Sequence, residues 1–84
     1  MHLIDTTPPL TIRPAGSDDI ARLRRLAVLD SQPELSGPAL IAAIADEPWA
    51  AVEVASGRTV ADPFRASAGV AGLIRAHAES LRHA

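Results

Sequence analysis

His77, Glu79 and His83 bring three potential metal ligands into one stretch of chain. A helix presents residues three or four apart on one face. His77 lies two residues from Glu79 and six from His83, so this spacing does not build the compact donor set that zinc needs. His77 instead falls on an apolar stripe and is read as a packed histidine. No Ser-His-Asp arrangement can be drawn either, because His2 lies near the N-terminus and the other two histidines share the last helix. Arg22, Arg24 and Arg25 crowd one segment. They could hold an anion, but a solvated helix face is the plainer account. Glu53 is the one acid within an apolar strand pattern, and alternation places it opposite Val52 and Val54, toward solvent. Asp30 follows a helix at its C-terminal end, where negative charge is unfavourable. It either caps the following turn, as Asp often does, or has another task.

These residues sit on elements that the sequence punctuates clearly. Leu10 to Arg13 alternates apolar and polar like a short strand, which Pro14 ends. Ser17 is placed to cap a helix from about Asp18 to Leu29, with Asp18 and Asp19 favourably near its N-terminus. Ile20, Leu23, Leu26 and Ala27 form its apolar stripe. Ala39 to Ala45 is apolar on both faces, as in a strand covered on both sides. A turn at Asp46-Glu47-Pro48 leads to a strand over Trp49 to Ala55, and Ser56-Gly57 to a third over Arg58 to Ala61. A helix from about Ser67 to Arg82 carries Val70, Leu73, Ile74, His77 and Leu81 on one stripe. The resulting class is α/β of the α+β type: a small, mostly antiparallel four-stranded sheet flanked by two helices, in the order β-α-β-β-β-α. Residues 1–8 read as a flexible tail and 9–84 as one domain.

Composition narrows the function. The chain has 84 residues, 48% of them hydrophobic, but alanine supplies much of that share. A domain this small buries only about 60–65% of its unfolded surface. A thin core invites a partner chain. The net charge of −2 argues against nucleic acid, whose phosphates need a basic face. There is no cysteine, so cysteine nucleophiles, cysteine-ligated metals and disulfides are excluded. No signal peptide is visible, and no apolar run approaches the ~20 residues that span a bilayer. A cytoplasmic protein with no membrane partner is expected.

Three stretches resemble the GCN5-related N-acetyltransferase (GNAT) family. Thr11-Ile12-Arg13-Pro14-Ala15, then Ser17-Asp18-Asp19 and the leucine-spaced helix, look like its first strand and helix. Gly37-Pro38-Ala39-Leu40-Ile41-Ala42 and the hairpin to Trp49-Ala50-Ala51-Val52 look like its second and third strands. Pro63 to Ala71 lines up with its acetyl-CoA motif, of which Gly69 and Ala71 keep the last two defined positions. Val70 and Ile74 keep the apolar ones. Ala66 stands where the family has Gln or Arg, with Arg65 adjacent but expected to point elsewhere.

The resemblance implies that Gly69, Val70, Ala71 and Arg65 would border the pyrophosphate of acetyl-CoA. There a helix N-terminus favours anions. It also implies that Glu53 or Asp30 would be the candidate proton acceptor for an amine, with Ser31 and Glu34 nearby. The alternative for Gly69 and Gly72 is close helix–sheet packing without a ligand. The resemblance covers only the front half of the family's fold, so one wall of the cofactor cleft is expected to be absent or to come from a second chain. Two functions follow. One is a non-catalytic interaction or dimerisation module with no cofactor. The other is an acetyl-CoA-dependent N-acetyltransferase with a shared cleft. The backbone of Thr59 to Ala61 is expected to form an unpaired edge, favouring a homodimer or another protein partner.

Overall fold

The structure is a computed structural model that describes residues 9–83. The expected tail, residues 1–8, lies outside the described residues. Strand β1 (Leu10–Pro14) leads through a single 3-10 turn into α1 (Ile20–Leu29). Strands β2 (Ala39–Ile44), β3 (Glu47–Glu53) and β4 (Thr59–Ala61) follow, and α2 (Ala68–Arg82) comes last. The strands pair in the order β1-β2-β3-β4, every pair antiparallel. The fold is therefore the expected small α+β sheet with two helices.

Alternation along β2 and β3 sorts the core into two layers, one on each face. On one face, Leu40, Ala42, Ala50 and Val52 meet Ala71, Ile74 and Ala78 of α2. On the other, Ile41, Ala43, Ala51 and Val60 meet Leu26 and Ala27 of α1. Each helix thus covers one face, as an apolar strand of both parities requires.

The start of α1 differs from expectation. Ser17 makes no cap; Ser17–Asp19 form the 3-10 turn, and Gly16 stands before it. The Asp19 carboxylate turns back, accepting the Gly16 N–H at 2.8 Å and bonds from Arg13 at 2.7 and 2.8 Å. Arg22 adds a second guanidinium at 3.2 Å. Asp19 thereby fastens β1 to the entry of α1. The wound-in turn leaves Ile20 54% exposed instead of on the buried stripe.

The hairpin between β2 and β3 is also built differently. The turn is Ala45-Asp46, both at positive φ (53° and 64°), not Asp46-Glu47-Pro48. That is the left-handed pair of a two-residue type I′ turn, which favours Asn-Gly. Pro48 joins β3 because the register slips there: Ala42 pairs with Ala50, but Ala43 with Pro48, leaving Trp49 as an extra, bulged residue. A bulge tolerates a residue that lacks an N–H. Strand β3 ends at Glu53 rather than Ala55.

On α2 the buried line is Ala71, Ile74 and Ala78. Leu73 (43%) and Leu81 (54%) are exposed. His77 is exposed too, its Nδ1 3.3 Å from the Leu73 carbonyl, and is not a packed histidine. The larger side chains misled the periodicity. Alanines face the sheet because small side chains let a helix seat closely on it.

Two outcomes are expected. Asp19→Asn should cost on the order of 2 kcal/mol in urea unfolding, since two guanidiniums and a backbone N–H lose their charged acceptor. The bond from Arg13 and then that from Gly16 hold the Asp19 carboxyl well below the usual carboxylate range. Its stabilising contribution is thus complete above the unfolded value of about 3.9 and fades as pH falls toward the folded one. The variant should lose that part of the acid-limb slope. Replacing Ala45-Asp46 by Asn-Gly should instead stabilise by roughly 1 kcal/mol, seen as a higher Tm, because both residues stop resisting positive φ.

Candidate functional site

The β3–β4 hairpin and the loop after α1 bring together most of the acidic candidates. Glu53 ends β3, where the chain turns through residues 54–58. It lies at the surface, as alternation predicts, but does not stand free: Oε2 accepts the Ser36 N–H at 2.8 Å and the Ser36 hydroxyl at 2.9 Å. Oε1 accepts the Ser56 hydroxyl. The bond from Ser56, followed by those from Ser36, draws the Glu53 carboxyl below its ordinary range. A lowered pKa weakens a proton acceptor. Chemically, Glu53 is a staple between the hairpin and the α1–β2 loop.

Arg58 staples the same loop from the other side, donating to the Pro33 carbonyl at 2.9 Å and the Glu34 carbonyl at 2.5 Å. Asp30 does not cap its own turn. Antiparallel pairing turns the Ala61 N–H away from β3, and Asp30 Oδ2 accepts it at 3.2 Å. The outer edge of β4, expected to lack partners at Thr59 to Ala61, is thus answered at Ala61. Ser31, at φ 53°, and Glu34, paired to Arg24 at 2.9 Å, complete the loop. Asp30 and Glu53 share this loop region but serve different backbone amides and share no partner.

The cofactor candidates lie around the start of α2. Arg65 points away from the helix N-terminus, as its position beside Ala66 suggested. Its Nε lies 3.1 Å from Asp62 Oδ2, a second nitrogen pairs with Glu47, and the guanidinium sits 5.3 Å from the Trp49 ring centroid. The last contact is a cation–π arrangement. Asp62 also accepts the Phe64 N–H at 2.8 Å, and its carbonyl accepts the Ser67 hydroxyl at 2.8 Å. Phe64 itself is 82% exposed.

Val70 is half-buried and Ala71 buried against the sheet. Gly69 and Gly72 are not close-packing positions: a Cβ at either would meet nothing within 4 Å. Open space there overturns the expectation that helix–sheet approach demands glycine.

Two cavities border α1. One of about 260 Å³ lies between α1 and the β2–β3 turn, where Arg22, Arg25 and Arg65 face Asp46, Glu47 and Asp62. The other, of about 290 Å³, is walled by Ile20, Leu23, Leu35 and Pro38, with Glu34 at its rim. Neither is lined by Glu53, Asp30 or Gly69. Among the described residues no three acidic or histidine side chains converge as a metal site. Sequence reasoning missed Asp19 and Arg58. Gly16 followed three residues later by Asp19 carries a capping signal. Nothing local marks Arg58, whose partners lie 24 and 25 residues away.

Glu53→Gln should loosen the α1–β2 loop without unfolding the domain. The measurement is hydrogen exchange at the Ser36 amide, whose protection should fall in the variant. In the native chain the same protection should be complete above the ordinary carboxylate range and fade as pH falls through the lowered value. An unchanged Ser36 amide would remove the staple. No protein-family profile, curated protein or solved structure matches the chain.

Proposed function

We propose that this chain is a non-catalytic interaction domain of acetyltransferase-like ancestry that associates with a second copy of itself. The observation that carries the proposal is the engagement of Glu53, Asp30 and Arg65 within the fold. Glu53 serves Ser36 and Ser56, Asp30 serves Ala61, and Arg65 serves Asp62, Glu47 and Trp49. A catalytic base needs a free lone pair toward substrate, and a phosphate clamp needs free donors. The thin, alanine-rich core favours association, because a partner adds burial that the chain lacks. The net charge of −2 suits a protein partner better than nucleic acid. Of the described residues, no helix is long and apolar enough to cross a membrane. A cytoplasmic setting completes the proposal.

One observation favours a second function. The space over Gly69 and Gly72 would admit a ligand at the start of α2. There Gly69, Val70 and Ala71 would hold the pyrophosphate of acetyl-CoA, and a second chain would complete the cleft of an N-acetyltransferase. Calorimetric titration with acetyl-CoA separates the two. The interaction domain should give no saturable heat. Micromolar affinity would establish cofactor binding and overturn the non-catalytic proposal, and Gly69→Glu should then abolish the signal by setting bulk and negative charge where phosphates approach.

A further inference from the structure

The outward surface of α2 repeats itself in mirror order about one residue. Leu73 and Leu81 each lie four residues from His77, and Arg75 and Glu79 each lie two. All five are exposed. At helical spacing Leu73, His77 and Leu81 form a ridge along one flank of the exposed surface. Arg75 and Glu79 take the opposite flank. Neither Arg75 nor Glu79 makes an ion pair among the described residues. Within one helix, Arg placed four residues before Glu is the weaker order for pairing.

A two-fold axis perpendicular to α2 at the level of His77, with the Gly72–Ala76 line facing the second copy, sets residue 77+n of one copy opposite residue 77−n of the other. Such an isologous contact repeats each pairing twice. It would place Leu73 against Leu81 of the second copy, and Arg75 against Glu79. The same operation sets Arg75 and Glu79 against opposite charge, and His77 against its own copy. Gly72 and Ala76, between the two flanks, keep the surface low enough for a helix to approach.

The sheet edges offer less. Asp30 takes the outward Ala61 N–H of β4, and Arg58 holds the neighbouring loop. Edge strand β1 contains Pro14 and is preceded by Pro9, neither of which has an N–H to give.

We infer that α2 is the interface between two copies of this chain, packed antiparallel about a two-fold axis at His77, with Arg75 and Glu79 pairing across it. The inference rests on the self-association proposed above and names its surface. Like-charged variants give the test. Arg75→Glu leaves acids at both positions, and Glu79→Arg leaves arginines at both. Each alone should weaken the dimer about tenfold in sedimentation equilibrium, since two pairs turn repulsive at once. Mixed in equal amounts they should form a heterodimer close to native affinity. In the mixture each chain keeps its own unfavourable i,i+4 pair, so recovery can arise only across the interface.

Because the chain has no cysteine, His77→Cys provides a second readout: a short bis-maleimide should link two copies there, and Thr59→Cys on the β4 edge should not. A dimer whose single variants keep native affinity, or whose mixture does not recover, overturns the α2 interface while self-association stands. So does linkage at Thr59→Cys instead of His77→Cys. A native chain that remains monomeric at hundreds of micromolar overturns both.

Discussion

Ile41, Ala42, Ala50, Ala51 and Val52 are sealed from solvent at the centre of the sheet, so both faces of β2 and β3 must be covered by helix. Three of these five side chains are single methyl groups. Each removes little apolar area from water, and the layers they form are thin. The helices can cover them only by lying close, which is why alanines rather than leucines of α2 face the sheet. Close seating in turn restricts where bulk can go, and Leu73 and Leu81 are left outside.

A core this slight leaves much of the tertiary fastening to polar groups. Asp19 ties β1 to the entry of α1, Asp30 ties the end of α1 to β4, and Glu53 ties β3 to the α1–β2 loop. Asp62 folds the chain from β4 into α2. In each case a carboxylate accepts a backbone N–H that makes no bond to another backbone group among the described residues. Hydrogen bonds to charged acceptors are stronger than neutral ones. The acids that look like catalytic candidates by type and placement are the same groups that hold the elements together. Trp49 is the counterexample: its indole N–H is buried with no partner among the described residues, at the bulge where the register slips.

What was legible in the sequence follows from range. Element order, the antiparallel meander and one helix per face could be read from periodicity and from Pro, Gly and Asp punctuation, because those signals act over a few residues. The Ala45-Asp46 turn was not legible, since its two residues adopt positive φ without the glycine that usually announces it. Assigning Leu73 and His77 to the core failed because hydrophobicity was weighed without volume. The functions of Asp30, Glu53 and Arg58 depend on partners 17 to 31 residues away, which no local pattern specifies.

Edges and faces then divide the surface. A strand edge attracts other strands through its unpaired N–H and C=O groups. Here the chain answers one edge with a side chain and a clamped loop, and limits the other with prolines. A helix has no such backbone donors along its length, so what its exposed side offers is decided by side chains alone. On α2 those side chains include Leu73 and Leu81, left outside the core, and Arg75 and Glu79, which make no ion pair among the described residues. The same packing that keeps bulk off an alanine-rich sheet therefore places it where another molecule can meet it. The recognition through α2 proposed above would follow from how the core is made thin, and it would need no residue that fastens the fold.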